Sequence, residues 1–413
     1  MKTNTKSRIL IGVLLFALSG TVAGMLNTVP FSWPMGGFWA DAQQFALTGH
    51  INSVFTPCGY PALLGLGVRL GGVTGAIAIQ FLIYTGIIAA AYCILRVLNV
   101  DRTPALVGAC LLGFHPELVI SVKKVWDTNI TTVFLLSLCA VLLVILRRGL
   151  TPARALLVGA LWGLSINVRP NFPALILPVA FAFWFAPVQE GRTRTLLVSG
   201  ALTLSAAALA VFAVSSVVHG TFYFPQNGPY NFYAGDNAFT ERALLGNLNA
   251  EPSIYPSLLA EGFSSDVDVY DPELRPYYVH HALLYIRRNP FQALKLVFLK
   301  LATLLRPDTK IYPLPSLGGA VKALEALAVP FWLITVVVVR EYAWGREDRL
   351  FLVFVVAYVA PFLLTNSDPR FRVPLDVLVL THGIYRLVKF WSLRNWAILQ
   401  EGGGQSGIAR AAR

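Results

Sequence analysis

The chain has 413 residues, of which 56% are hydrophobic and only 13% charged, whereas soluble domains carry about 25% charged residues. This composition excludes an ordinary soluble protein and predicts an all-α polytopic membrane protein. The formal net charge of +12 does not indicate nucleic-acid binding, because Lys and Arg stand in short clusters between apolar runs, as in cytoplasmic loops. The four cysteines show no spacing typical of a metal site or a disulfide framework.

Ten apolar runs predict about ten transmembrane helices, since one span needs roughly 20 apolar residues. The runs are about 9–28, 74–98, 104–122, 129–147, 154–168, 172–187, 195–217, 318–339, 350–365 and 373–390. The first run could be a signal peptide, but no clear small-x-small cleavage site precedes Asn27, so we interpret it as a retained anchor. Arg169-Pro170-Asn171 predicts a tight hairpin between the fifth and sixth runs.

The charged clusters fall in every second connection, which predicts that those connections and both termini are cytoplasmic. The opposite, outer face then collects five segments, namely 29–73, 121–128, the hairpin at 169–171, 218–317 and 364–373. Residues 1–400 are predicted to form a single transmembrane domain. Residues 401–413, which are Gly-rich and small, predict a disordered tail.

Two acidic residues stand at the edges of predicted spans on the outer face. Asp41 lies in FWADAQQFALTG, which predicts an interfacial helix, and in its first turn the carboxylate could merely favour the helix dipole. Asp127 begins the fourth span in VKKVWDTNITTVF and could serve as a helix cap. Ionisable groups near lipid are otherwise costly, so both residues are candidates for a functional role.

The outer face should be poor in positive charge, yet five cations lie there beside apolar sequence. They are Lys123, Lys124, Arg169, Arg370 and Arg372. Each could snorkel to an ordinary lipid phosphate. Five of them on the non-cytoplasmic face favour a phosphate-bearing ligand, because Arg binds phosphate with two parallel hydrogen bonds.

The long loop 218–317 holds nine of the 21 acidic residues and predicts a small folded cap. Its second half predicts two helices separated at Asn289-Pro290, and the second of these could lie along the membrane surface. His280 and His281 are adjacent, so on a helix they point about 100° apart and do not favour joint metal binding.

Polar and aromatic residues at the start of this loop are candidates for a sugar site. They are Tyr230, Asn231, Tyr233, Asp236 and Asn237, which offer hydroxyl and amide hydrogen bonds and an aromatic face. The same residue types also form ordinary turns, so a purely structural role is the alternative.

Glycosyl transfer from a lipid phosphate needs these groups. An attacking hydroxyl needs a carboxylate base within hydrogen-bond reach, and the leaving phosphate needs cations to stabilise its developing charge. We therefore predict Asp41 as the base, with Asp127 orienting the acceptor or the donor sugar. No cofactor is required, and a divalent metal could take part but is not expected.

Four stretches, in order along the chain, resemble motifs of the GT-C superfamily of membrane glycosyltransferases. FWADAQQFALTGHINSVFTPCGYPALLGLG (38–67) resembles the first-loop signature, with an Asp before a helix and PCGYPALL for P-x-Y-P-x-L-L. WGLSINVRPNFPALILP (162–178) resembles the GL-x-x-L-x-R-P hairpin. NGPYNFYAGDNAF (227–239) is similar to G-x-Y-N-x-x-x-G-N-N, with Asp236 in place of the first Asn.

The fourth stretch, NSDPRFRVPLDVLVL (366–380), is similar to D-P-R-Y-R-x-P-x-x-P of bacterial family-39-like members. Phe371 replaces the Tyr of that motif and Asp376 replaces its second Pro. These bacterial members are related to dolichyl-phosphate-mannose-protein mannosyltransferases and lipid A aminoarabinose transferases.

The resemblance implies a GT-C-like helical bundle with extracytoplasmic juxtamembrane helices and a catalytic face formed by the outer loops 29–73 and 218–317. It implies inverting transfer from a polyprenyl-phosphate sugar to a hydroxyl of a glycolipid, a cell-envelope glycan or a protein. By the same match Asp41 takes the catalytic position, Asp127 that of a second acid, and Tyr60 joins the predicted sugar or acceptor site. Ala42 replaces a Glu that many protein mannosyltransferases have, which leaves the acceptor open.

Two other functions remain as alternatives. A transporter or lipid-linked sugar flippase would favour internal repeats and midplane sites, whereas no repeat is evident and the candidate residues lie at one face. A lipid-linked polysaccharide ligase would depend on cations and His in one late loop rather than on Asp41. The compact chain favours a bacterial inner membrane, with the active site on the periplasmic side.

Overall fold

The structure is a computed structural model that describes residues 36–53, 55–187, 192–223, 227–247, 250–306, 315–338 and 344–402. All regular elements of these residues are helices, so the predicted all-α class is confirmed. The predicted first span at 9–28 lies outside the described residues. The tail predicted from residue 401 begins inside the last helix, and residues 403–413 lie outside the described part of the chain.

Sixteen α-helices occupy the described residues and are numbered here in chain order. They are α1 Gly36–Thr48, α2 Gly59–Val97, α3 Arg102–Gly113, α4 Pro116–Ile120, α5 Thr128–Arg148, α6 Pro152–Val168, α7 Ile176–Phe185, α8 Arg192–His219, α9 Asn227–Gly235, α10 Thr240–Asn247, α11 Ile254–Ala260, α12 Arg275–Arg288, α13 Pro290–Leu305, α14 Pro315–Val338, α15 Arg346–Leu364 and α16 Arg372–Gly402. Short 3₁₀ helices at Phe172–Leu175, Glu251–Ser253, Pro272–Leu274 and Pro369–Phe371 precede α7, α11, α12 and α16.

Within the described ranges, α2, α5 and α8 are long and apolar enough to cross a membrane. Shorter apolar helices cover Pro152–Val168, Phe172–Phe185 and Ala326–Val337. The predicted third span, 104–122, is wrong as one continuous helix. α3 ends at Gly113 and α4 begins at Pro116, because a proline has no N–H to continue the helical ladder.

The helix α2 begins far earlier than the predicted second span and is interrupted at Gly71 and Gly72. Gly72 has φ of +60°, a left-handed conformation that glycine adopts without steric cost. A Cβ on Gly75 would collide with the backbone oxygen of Gly67, so the two halves of α2 come into direct backbone contact. The first half packs against α1 and thereby fixes the position of the first loop.

Small residues bring α6 and α8 into close contact. Gly159 and Gly163 form a G-x-x-x-G pair on α6, and a Cβ on either one would collide with the backbone oxygen of Thr203 or of Ala207 on α8. This spacing is typical of helices that pack closely in membranes. The end of α6, which carries the hairpin at 169–171, is therefore held against α8.

The cap consists of α9 to α13, residues 227–305, around an aromatic core that includes Tyr230, Tyr233 and Tyr278. The predicted break at Asn289-Pro290 is confirmed, since α12 ends at Arg288 and α13 begins at Pro290. One buried ion pair joins the two ends of the cap, with Lys300 Nζ 3.0 Å from Asp236 Oδ2. Lys300 also donates to the backbone oxygen of Leu363 at 3.1 Å, which ties the cap to α15.

Replacing Gly163 by alanine should lower the free energy of unfolding by about 1–3 kcal/mol, because the added methyl group must push α6 away from α8. Gly200→Ala is the matched control, since no atom lies within 4 Å of its added Cβ. Thermal unfolding in detergent measures both variants. Equal melting temperatures for the two variants would contradict the close contact.

Candidate functional site

A cavity of about 780 Å³ lies where the loop after α1, the beginning of α5, the end of α6, the start of the cap and the turn before α16 meet. All five segments predicted to share one face contribute to its walls. The polar lining residues are Thr56, Asp127, Arg169, Asn171, Asn227, Tyr230, Asn231, Glu251, Thr365, Asn366 and Arg370.

One wall of the cavity is a buried ion pair between Asp127 and Arg169. Arg169 Nη2 lies 2.7 Å and Nε 3.0 Å from the same Asp127 carboxylate oxygen, Oδ2. The guanidinium also stacks on the ring of Phe371, 4.4 Å from the ring centre. Asp127 occupies the N-cap position of α5, yet its side chain makes no capping hydrogen bond. Its carboxylate therefore holds Arg169 instead of capping α5.

Asp41 lies on α1 and does not line the cavity itself. Its side chain is only 6% exposed, and the Thr56 hydroxyl, which does line the cavity, donates to Asp41 Oδ2 at 2.6 Å. Burial raises the pKa of Asp41, and the Thr56 hydrogen bond and nearby His219 partly oppose this rise. Asp41 is thus one hydrogen bond behind the cavity wall.

Glycine packing fixes the position of Asp41. A Cβ on Gly65 of α2 would lie 2.7 Å from the backbone oxygen of Ala42, the residue after Asp41. Phe38 and Trp39 of α1 are buried against Tyr60 and the rest of this cluster. The turn of α1 that carries Asp41 is therefore pressed against α2.

The cap side of the cavity contains a carboxylate that the sequence analysis missed. Glu251 lines the cavity, and the Tyr230 hydroxyl donates to its Oε1 at 3.1 Å. Asn366 accepts a hydrogen bond from the backbone N–H of Ala250 at 3.0 Å, which joins this wall to the segment before α16. No motif marks Glu251, which is one of nine acidic residues in the long loop.

Arg370 is the second guanidinium of the cavity. Its Nε is buried and makes no hydrogen bond among the described residues, and a carboxylate oxygen of Asp368 lies 3.5 Å away. A buried donor without a hydrogen-bonded acceptor is rare, and Asp368 neutralises this guanidinium only through a loose ion pair. Arg169 and Arg370 are the predicted cations that the structure places in this cavity.

The other three predicted phosphate-binding cations do not line the cavity. Arg372 is buried, with Nε 2.8 Å from Asp376 and Nη1 donating to the backbone oxygen of Leu305. Lys124 is buried with Nζ 4.7 Å from the ring centre of Trp126, and Lys123 is half-buried in the same link before α5. Internal contacts thus hold the Arg372 and Lys124 side chains outside the cavity.

Of the predicted sugar-site residues, Tyr230 and Asn231 line the cavity, and four others do not. Tyr60 is fully buried and donates to Gln80 at 3.1 Å. Tyr233 bonds Ser257 inside the cap core, and Asp236 is paired with Lys300. Asn237 donates to Ser253 and to the backbone oxygen of Tyr233, both at 2.7 Å. These contacts match the purely structural role given above as the alternative for Asn237.

In the described part of the chain, no group of three or more His, Cys, Asp or Glu side chains could hold a metal ion. The rings of His280 and His281 lie edge to face, 5.3 Å apart, and His281 Nδ1 is 3.4 Å from Glu261. That the chemistry needs no metal stays a prediction.

Compared with protein-family models, with curated proteins and with solved structures, the chain matches none. The resemblance to GT-C glycosyltransferases therefore depends on the four motif stretches alone.

The ion pair makes a prediction about stability. Asp127→Asn or Arg169→Met alone should each cost about 3–5 kcal/mol, because each leaves one buried charge without its partner. The double variant should cost clearly less than the sum, and unfolding measurements on all four proteins give this coupling. The pair Arg147–Glu347, also 3.0 Å apart but with both side chains 23% exposed, is the control and should couple by only about 0–1 kcal/mol. Additive costs at Asp127 and Arg169 would contradict the account.

Proposed function

We propose that the protein is an integral membrane glycosyltransferase that moves a sugar from a polyprenyl-phosphate donor to an acceptor hydroxyl. The proposal includes about ten transmembrane helices in a GT-C-like bundle, cytoplasmic termini and a periplasmic active site in a bacterial inner membrane. One observation carries it. All four motif stretches, which are far apart in the sequence, contribute residues to the same cavity.

The cavity offers the groups that inverting glycosyl transfer needs. The acceptor oxygen attacks the anomeric carbon, the bond from that carbon to the phosphate oxygen breaks, and the hydroxyl proton passes to a carboxylate. We assign that carboxylate to Asp41. The acceptor hydroxyl reaches Asp41 Oδ2 by taking the place of the Thr56 hydroxyl. Burial raises the pKa of Asp41, and a raised pKa makes a carboxylate a stronger base.

The leaving polyprenyl phosphate carries developing negative charge. Arg370 is the cation placed to stabilise it, because it lines the cavity and its ion pair with Asp368 is loose, at 3.5 Å and without a hydrogen bond from Nε. Arg169 already shares its charge with Asp127, so it adds positive potential to the wall and holds the wall rigid. Arg372 is paired with Asp376 at the start of α16 and lies outside the cavity, so it makes no direct contact with the phosphate.

Asp41→Asn should lower the rate of sugar transfer by about a hundredfold or more while donor binding stays near normal, because the amide cannot accept the proton. Asp101→Asn, at an exposed aspartate before α3 that lies outside the cavity, is the control. Transfer of radiolabelled sugar from synthetic donors, together with donor binding, measures both. Near-normal transfer by Asp41→Asn would exclude this residue as the base.

The Thr56 hydrogen bond predicts a pH effect. It stabilises the ionised carboxylate, so Thr56→Val should raise the pKa of Asp41. Transfer requires the ionised base, so the acid limb of the kcat/KM profile should move to higher pH in this variant. Thr365→Val is the control, since that cavity-lining hydroxyl donates to the backbone oxygen of Pro361 at 2.7 Å. An acid limb that stays in place or moves to lower pH contradicts the assignment.

A further inference from the structure

One side of α13, the last helix of the cap, exposes a row of large apolar side chains. Phe291, Leu294 and Phe298 are 87%, 54% and 63% exposed. Their spacing of three and four residues places them on the same side of the helix, and the partly exposed Leu301 and Leu305 continue that side. These five residues are the outer stripe. At a rise of about 1.5 Å per residue, the stripe is about 20 Å long.

The other side of α13 is fixed inside the protein, next to the connection between α15 and α16. The Ser367 hydroxyl donates to the backbone oxygen of Lys300 at 2.9 Å, and Arg372 donates to the backbone oxygen of Leu305. Lys300 itself donates to the backbone oxygen of Leu363, at the end of α15. The proposed topology places this connection at the outer boundary of the membrane. These contacts therefore hold α13 at the level of that boundary.

The length of α13 and the charges on it exclude a further membrane span. The helix has 16 residues, whereas a span needs roughly 20, and it contains Lys295 and Lys300. An exposed apolar row of this length is unfavourable in water and marks an interaction surface. A helix with one apolar side, held at the boundary, buries that side by lying in the plane of the lipid interface.

Three arginines stand at the two ends of the outer stripe. Arg287 and Arg288 precede α13 and Arg306 follows it, and all three are exposed. Within the described ranges none of them forms an ion pair, whereas Lys295 beside the stripe is paired with Glu241 at 2.5 Å. Arginine binds phosphate oxygens with two parallel hydrogen bonds. Cations beside an apolar helix face favour a surface of anionic lipids.

We propose that α13 lies in the outer lipid interface and binds anionic phospholipids. The outer stripe enters the acyl-chain region, and Arg287, Arg288 and Arg306 bind the lipid phosphates. The charges favour this partner over a second copy of the chain, which would bring the same arginines towards each other. The proposal rests on the membrane orientation given under the proposed function, but it does not require sugar transfer.

The depth of α13 is measured on the full-length protein in lipid nanodiscs, with a bimane label on one introduced cysteine. Cys93→Ser removes the exposed native cysteine, since Cys58, Cys110 and Cys139 are buried. A label on Phe298→Cys should be quenched about threefold or more strongly than one on Ser265→Cys by lipids with a nitroxide on the acyl chain. Ser265 is the control, because it is an exposed cap residue beside Asp266.

The same label measures the preference for anionic lipid. The nitroxide is carried by phosphatidylglycerol, which is anionic, or by phosphatidylcholine, which has no net charge, at equal mole fraction. Quenching at position 298 should be about twofold or more stronger with phosphatidylglycerol, because this lipid is enriched around the arginines. Replacing Arg287, Arg288 and Arg306 together by glutamine should remove the difference.

The matched control replaces Arg102, Arg148 and Arg194 together by glutamine. These arginines are also exposed, and they lie in connections predicted for the opposite face of the membrane. The control variant should keep the difference between the two lipids.

Three results would each overturn the proposal: equal quenching at positions 298 and 265, equal quenching by the two lipids, or the same effect of both triple variants. Consumption of a sugar donor is measured separately. A protein that shows the lipid contacts but consumes no donor counts against the transferase alone, and the reverse result counts against the lipid surface alone.

Discussion

The buried ion pair between Asp127 and Arg169 is the interaction on which the rest of the site depends. It joins the residue directly before α5 to the residue directly after α6. Arg169 also stacks on Phe371, just before α16. A charge at this depth is stable only with a partner, so the pair favours the arrangement in which the three segments meet here. The cavity exists because these segments, together with the cap and the loop after α1, are held around that pair.

Three further contacts extend the same frame. Lys300 binds Asp236 and the backbone of α15, and thereby keeps the cap over the cavity. Gly235 permits this approach, since a Cβ there would collide with the backbone oxygen of Thr365. On the other side, Gly65 brings α1 against α2 and places Asp41 behind Thr56. Rigid walls of this kind fix Asp41 and Arg370 relative to each other, which the proposed sugar transfer requires.

Local signals in the sequence predicted much of the order of the helices but few of the ion pairs that join them. The helix break at Asn289-Pro290 could be predicted because proline stops the backbone ladder, and the same rule at Pro116 was overlooked within one apolar run. Asp127 and Arg169 are 42 residues apart, and Asp236 and Lys300 are 64 apart, so no local pattern shows that they pair. The spacing of Arg372 and Asp376, four residues apart on α16, was a readable signal that Arg372 is occupied within its own helix. Glu251 became a candidate only when the fold brought it into the same cavity as Asp127.

The most direct test of the account is whether the purified wild-type protein cleaves a polyprenyl-phosphate sugar. A panel of synthetic donors with radiolabelled sugars is incubated with the protein and with membrane extract as the source of acceptor. The account predicts that one donor is consumed, with release of polyprenyl phosphate and transfer of label to an acceptor with inverted anomeric configuration. If every donor remains intact while labelled lipid crosses the bilayer of liposomes that contain the protein, the transferase account is contradicted and a flippase replaces it.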